Sequence, residues 1–248
     1  MSDRLTVTLA DGFLLHSRPY RDSSVIADFF TAEHGRIAVV ARGARRPKSR
    51  IRGLLQPFQP LLVSWISRGS LGTLTGLEIR PARRHSFGDR VLSAYYLNEL
   101  IMRALQPGDS QQDVFRLYEN CLNAIATDQR TAAVLRCFER DLLQMLGYGL
   151  HLAADNDGVP VDDDSVYLFD MQEGPRRVSD GAGSYSGASL NALAQGSFEN
   201  HSQLNEAKRL LRGAIDFHLG DKNSRVRKVM NSMSHRKRGW RSPLKSTP

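Results

Sequence analysis

Seven cations and no acid occupy residues 36–52: Arg36, Arg42, Arg45, Arg46, Lys48, Arg50 and Arg52. Positive charges this close repel one another, and a polyanion relieves that by supplying phosphates and releasing its own counterions. Arginine suits the task because its planar guanidinium pairs bidentately with phosphate and stacks on bases. The chemistry open to this run is capture of a nucleic-acid backbone. A solvated loop that only confers solubility is the simpler alternative. The length of the run, its lack of acids and its place between two strand-like segments favour nucleic acid.

A second cationic cluster follows residue 221. It holds Lys222, Arg225, Arg227 and Lys228, then Arg236, Lys237, Arg238 and Arg241, with Trp240 among them. A helix bearing several cations can lie along a backbone groove, and a tryptophan can stack on a base. A flexible cationic tail that binds any polyanion weakly fits the same residues. The charge map is uneven. Residues 1–85 hold 14 basic and 6 acidic side chains, residues 86–221 hold 11 and 20, and residues 222–248 hold 9 and none. A basic head and a basic tail around an acidic middle suggest two polyanion-contacting surfaces on a scaffold with another task.

Arg136 and Arg140 are four apart on one helical face, near Phe138 and Leu143. A basic rim beside an apolar groove suits a short acidic peptide with aromatic residues. An ordinary solvated face, partly paired with Glu139 or Asp141, is the plainer reading. Asp162, Asp163 and Asp164 raise the question of a metal-dependent nuclease. Such an enzyme needs carboxylates converging from separate elements, and adjacent aspartates on one loop diverge. The seven histidines are scattered, and no G-x-x-x-x-G-K-[ST] loop occurs, so no ATPase is expected. The two cysteines, Cys121 and Cys137, sit on helical apolar stripes and read as buried free thiols.

The elements that must hold these residues change along the chain. The first eighty residues are β-rich and punctuated by glycine. Thr6–Leu9 and Phe13–Ser17 bracket an expected turn at Asp11-Gly12, and Val25–Thr31 turns at His34-Gly35 into Arg36–Ala41. Pro60–Ile66 and Leu71–Ile79 follow the basic loop. Short strands in this number and of this size suit a small closed barrel, either an OB-fold or an SH3-like barrel. Phe29, Phe30, Phe58 and Trp65 could offer stacking surfaces, but their strand positions read as core. From about Asp89 the period becomes helical, with stripes through Leu97–Leu105, Val114–Ile125 and Leu135–Leu146. Residues 151–188 are irregular, with one β-like run at Val166–Asp170. A helix through Leu204–Ile215, a basic helix from Lys222 to about His235 and a disordered tail complete the expectation. No apolar stretch is long enough to span a membrane, and the N-terminus lacks a signal-peptide core, so a cytoplasmic setting is expected.

Several of these motifs together resemble the RecO family of recombination mediators. The resemblance rests on Ala41–Arg50 with Leu55-Gln-Pro-Phe58, preceded by Pro19–Ser24 and His34-Gly-Arg36. It continues through Tyr95–Leu100, Leu135–Glu139, Leu142-Leu143 and Leu146-Gly-Tyr-Gly149, and more weakly at His218-Leu-Gly220 and Ser224-Arg225. The resemblance implies an α+β protein: an N-terminal five-stranded OB-fold barrel, then an α-helical bundle with a small irregular subdomain. The expected divisions are 1–82 for the barrel, 86–150 with 189–235 for the bundle, 151–188 for the subdomain and 236–248 for the tail. It also implies a non-enzymatic, bacterial, nucleoid-associated protein that binds single- and double-stranded DNA and anneals complementary strands. With RecR, such a protein helps load RecA onto DNA coated by single-strand binding protein, whose acidic C-terminal tail is the peptide implied for Arg136, Phe138, Arg140 and Leu143. Many family members carry a four-cysteine zinc site after the position of Gly149. Leu150–Gly158 has no cysteine here, so the chain resembles the zinc-free branch and no metal or cofactor is expected. A nuclease using the Asp-rich region and an RNA-binding ribosome-associated module are the rival readings.

Overall fold

The computed structural model describes residues 4–81, 86–127, 130–179, 181–220 and Val229. Five strands open the chain: β1 (Leu5–Tyr20), β2 (Ser24–Thr31), β3 (Gly35–Ala41), β4 (Leu61–Ser67) and β5 (Leu71–Ile79). They pair in the order β1-β2-β3-β5-β4, and β4 returns to β1 to close the barrel. Every pairing is antiparallel except that of β3 with β5. This is the partly Greek-key closure of an OB-fold, and it leaves no long unpaired edge. Leu14, Phe29, Val39, Leu61, Val63 and Trp65 alternate inward and fill the barrel.

Asp11-Gly12 is not a turn. β1 runs through it as one strand of 16 residues, its first half paired with β4 and its second with β2. Gly12 is the corner, with register partners on both sides, Thr31 and Leu61. A Cβ there would lie 3.1 Å from the Phe30 carbonyl oxygen and 3.3 Å from Val63 Cγ2. Glycine is thus needed for close backbone approach at a barrel bend. Between Val7 and Ala10 the register slips, Leu9 takes φ 53°, and its N–H donates to Ser64 Oγ at 2.9 Å. A short helix not foreseen in the basic run, α1 (Arg50–Leu54), connects β3 to β4 and packs Ile51 and Leu54 against the barrel core.

The remainder is mostly helical: α2 (Val91–Ala104), α3 (Gln112–Thr127), α4 (Thr131–Met145), α5 (Gly187–Gln195) and α6 (His201–Leu219). Apolar stripes bury Leu97, Leu100, Ile101, Leu122, Ile125, Leu143 and Leu211 completely. Ser186 caps α5, and Asn200 caps α6 by accepting from Gln203 N–H at 3.0 Å. Both cysteines are free thiols, Cys121 buried and Cys137 half-buried. Burial raises both thiol pKa values, which keeps them protonated and unreactive.

Between α4 and α5 lies a small sheet where the sequence showed one β-like run. Strands β6 (Val166–Asp170), β7 (Gly174–Val178) and β8 (Tyr185–Ser186) lie in the order β7-β6-β8. The Asp-rich loop is tied into this sheet. Asp162 Oδ2 accepts from Ser165 Oγ at 2.7 Å and faces Arg177 at 3.4 Å, while Asp163 Oδ1 accepts from Asn191 Nδ2 at 2.8 Å. Asp170 Oδ1 accepts the N–H groups of Gln172 and Glu173 and so closes the β6–β7 turn. The Ser165 hydroxyl holds Asp162 below the ordinary carboxylate value of 3.8, and the Glu173 and Gln172 amides do the same for Asp170. Both carboxylates therefore stabilise the fold above that value, and the contribution disappears as pH falls through their lower folded values. Hydrogen-exchange protection across Val166–Val178 is expected to drop selectively as pH falls below about 4, and Asp170→Asn should flatten that drop. An equal drop in the barrel strands would show the loss to be global instead.

The barrel is docked on the helices by its outer face. Phe13 and Phe30 meet Phe115 and Tyr118 with ring centroids 5.2–5.9 Å apart. Buried Asn98 donates from Nδ2 to the carbonyls of Leu14 and Leu15, at 3.3 and 2.8 Å, and accepts from the Tyr118 hydroxyl at 2.5 Å. Arg80, just past β5, pairs with Asp11 at 3.5 Å and with Glu119 of α3. These bonds fix the direction in which the barrel presents its loops.

Candidate nucleic-acid interface

The β3–α1 loop gains its shape from a few anchors. Ala44 is 2% exposed and plugs into the barrel core, while Ile51 and Leu54 hold the far side. Arg46 N–H donates to the Gly43 carbonyl and Ser49 N–H to the Arg46 carbonyl, each at 3.1 Å, making consecutive tight turns. With its apolar residues facing in, the loop turns Arg42, Arg45, Arg46, Lys48, Arg50 and Arg52 outward, and all six are exposed. The loop is also stitched to the β1–β2 turn. Arg45 N–H donates to the Ser23 carbonyl at 2.9 Å, and its guanidinium donates to the Arg21 carbonyl at 3.2 Å.

Between loop and turn lies a cleft of about 530 Å³, lined by Tyr20, Arg21, Ser23, Arg42, Arg46 and Thr73 among others. The Arg21 guanidinium lies 5.1 Å from the Tyr20 ring centroid. Tyr20 and Arg21 were not singled out as site residues from the sequence. The available signal was topological: a β1–β2 turn in a five-stranded barrel must sit near the end of β3. Cations, hydroxyls and an aromatic ring around one open cleft can bind phosphates and hold a base.

Arg36 does not join this group. It begins β3, at the end of the strand away from the loop, and Nη1 donates to the carbonyls of Met102 and Leu105 at 2.7 Å each. Burial lowers its pKa, with Asp28 opposing that shift. Its role is to cap the C-terminus of α2 and join barrel to helices. Phe29, Phe30, Phe58 and Trp65 are between 0 and 6% exposed and belong to the core, as their alternation implied.

The four residues expected to form a peptide groove are not brought together as one. Phe138 and Leu143 are 1% and 0% exposed, inside the bundle. Arg136 is 6% exposed and pairs with buried Glu139 at 2.8 Å, and Glu139 also accepts from the Tyr96 hydroxyl at 2.7 Å. Arg140 Nη1 donates to the Leu193 and Ala194 carbonyls at the end of α5. The expectation fails because the helical stripe rotates Arg136, Phe138 and Leu143 inward together. A groove of about 380 Å³ opens beside them, lined by Leu117, Arg130, Val134, Cys137, Asp141 and Phe198 among others, and of the four expected residues only Phe138 reaches it. Lys222, Arg225, Arg227, Lys228 and Trp240, with the helix and tail expected there, lie outside the described residues.

A closed OB barrel bearing a cationic loop and docked on a helical bundle is the architecture of a nucleic-acid-binding scaffold. Comparison with known proteins agrees. The family models described as "Recombination protein O N terminal" and "Recombination protein O C terminal" match residues 5–82 and 85–227. The chain is 40% identical over 233 residues to the DNA repair protein RecO of Nitrosococcus oceani, covering 92% of this chain and 95% of that protein. It is 37% identical over 244 residues to the DNA repair protein RecO of Thiobacillus denitrificans, covering 94% and 95%. It is 37% identical over 239 residues to that of Dechloromonas aromatica, covering 94% and 99%. The chain belongs to the RecO family, and its role lies in DNA repair and recombination. Among the described residues no helix is long and apolar enough to cross a membrane.

Proposed function

We propose that this protein is a non-enzymatic mediator that binds single- and double-stranded DNA and anneals complementary strands. With RecR it would help load RecA onto DNA coated by single-strand binding protein. The observation that carries the reading is the cleft at the barrel end, lined by Arg21, Arg42 and Arg46, beside a loop that turns six cations outward. The cationic residues 222–248 supply a second polyanion-binding region. Neutralising the phosphates of two strands lowers their repulsion, so that pairing can nucleate. Base stacking and pairing then release the free energy, and no nucleotide hydrolysis is needed.

The acidic tail of single-strand binding protein is assigned to the groove beside α3 and α4, where apolar walls meet Arg130. Competition for that tail would loosen the coating protein locally. The test is annealing of coated complementary strands, without ATP, across a salt series. Acceleration that fades with salt, and that requires the acidic tail, is the expected result. Salt-sensitive binding to bare DNA without acceleration would reduce the protein to a generic cationic binder.

A further inference from the structure

An exposed aromatic stack stands where the chain leaves α4 beside the last turn of α6. The sequence of α4 creates half of it. Gly147, at φ 82°, closes the helix: its N–H donates to the Gln144 carbonyl at 3.1 Å and Tyr148 N–H to the Leu143 carbonyl at 2.8 Å. That reversal throws the Tyr148 ring out beside the last turn of α6. There it lies 4.6 Å from the His218 ring, with the two planes only 16° apart. Phe217 adds an edge-on contact to His218 at 4.9 Å.

Parallel stacking in the open is unusual for core-forming aromatics, and these residues are far from buried: Tyr148 is 41% and Phe217 56% exposed. The stack is also held in place. Arg103, at the end of α2, pairs with Asp216 at 3.5 Å and donates to the Gly220 carbonyl, pinning the end of α6. Two residues past His218 the chain leaves Gly220, and residues 222–248 then carry nine cations and no acid. A preorganised aromatic surface that precedes a purely cationic stretch in the sequence complements one kind of polymer: bases on a phosphate backbone. An acidic protein partner would use the cations but has no need of parallel rings.

We propose that the Tyr148–His218 stack, extended by Phe217, is a base-stacking platform for single-stranded DNA. The inference rests on the DNA-binding reading above and adds to it a second site, on the helical unit rather than the barrel. The platform engages unpaired bases, so it discriminates a single strand from a duplex whose bases are already stacked.

The experiment uses the full chain and fluorescence anisotropy at one salt concentration. The probes are an oligothymidylate and an abasic strand of the same length, which keeps the phosphates and lacks the bases. Phe217→Ala and Tyr148→Ala should each weaken oligothymidylate binding roughly tenfold, the loss of one base–aromatic stack, and leave abasic binding unchanged. Tyr148→Phe, which keeps the ring, should bind both strands like the unaltered protein and controls for folding. Equal losses on both strands, or no loss on either, would overturn the platform while the DNA-binding reading stands. Light scattering on the same samples closes the other route: if Phe217→Ala lowers the native mass, the face joins two copies of this chain and the platform is wrong. If the unaltered protein binds neither strand, the DNA-binding reading falls as well.

Discussion

Reversing three charges on the barrel loop, as Arg45→Glu, Arg46→Glu and Arg50→Glu together, is expected to weaken single-stranded DNA binding about a hundredfold at about 0.1 M salt. Each phosphate contact on a single strand adds about 0.7 to the slope of log affinity against log salt, so three lost contacts remove about two decades at that concentration. The salt slope itself should fall by about two. Thermal stability should move little, because all three side chains are exposed, only one exposed hydrogen bond (Arg45 to the Arg21 carbonyl) is lost, and Ala44 and Ile51 anchor the loop. Arg36→Gln makes the contrast. It leaves the loop intact but removes two hydrogen bonds to the end of α2, so its effect belongs to stability and not to the salt slope. A triple variant that keeps the original slope would remove the barrel cleft from the interface.

The separation of those two roles shows where a linear reading stops. All seven cations of residues 36–52 look equivalent in sequence, yet β3 places Arg36 and Arg42 at opposite ends of a strand spanning about 20 Å. Strand length and topology, not charge density, decide which arginines share a surface. The barrel was legible because inward alternation and glycine punctuation are local signals. Gly12 misled for the same reason: Asp-Gly is a strong turn signal, and only the closed sheet explains why it bends a continuous strand. α1 went unseen because five residues are too few to show a period against a run of arginines, although Ile51 and Leu54 have helical spacing. In the small sheet, β7 reads Gly-Pro-Arg-Arg-Val and β8 has two residues, so partners and not propensity create those strands. Tyr148 and His218 lie seventy residues apart in sequence, and their stacking depends on how α4 and α6 end.

The point at which the chain reaches Gly220 is also fixed by contacts that sequence could not supply. Arg36 ties the start of β3 to the end of α2, and Arg103 ties the end of α2 to the end of α6. The chain therefore leaves α6 near the end of β3 opposite the basic loop. It means that the barrel loop and the segment after Gly220 can be altered independently.

Arg136→Met should lower folding stability by about 3–5 kcal/mol, the largest single effect expected outside the aromatic core. The pair Arg136–Glu139 is almost wholly enclosed, with side chains 8% and 2% exposed. Removing the guanidinium leaves a carboxylate inside the bundle, next to the Tyr96 hydroxyl, without its counter-charge. A second substitution separates structure from recognition. Adding Glu139→Gln removes the stranded charge while keeping an acceptor for Tyr96, so the double variant should recover most of the loss. The signal was present in the sequence: Glu139 lies four residues after Leu135 and three before Leu142, in the middle of an apolar stripe where a carboxylate needs a partner. Denaturant titration of the two variants gives the stabilities, and binding of an acidic peptide to the folded double variant gives the other half of the argument. If peptide binding survives in the refolded double variant, Arg136 serves the fold alone and recognition belongs to the neighbouring groove at Arg130. If it is lost although stability has returned, Arg136 reaches the peptide after all, and the groove assignment beside α3 and α4 must be redrawn.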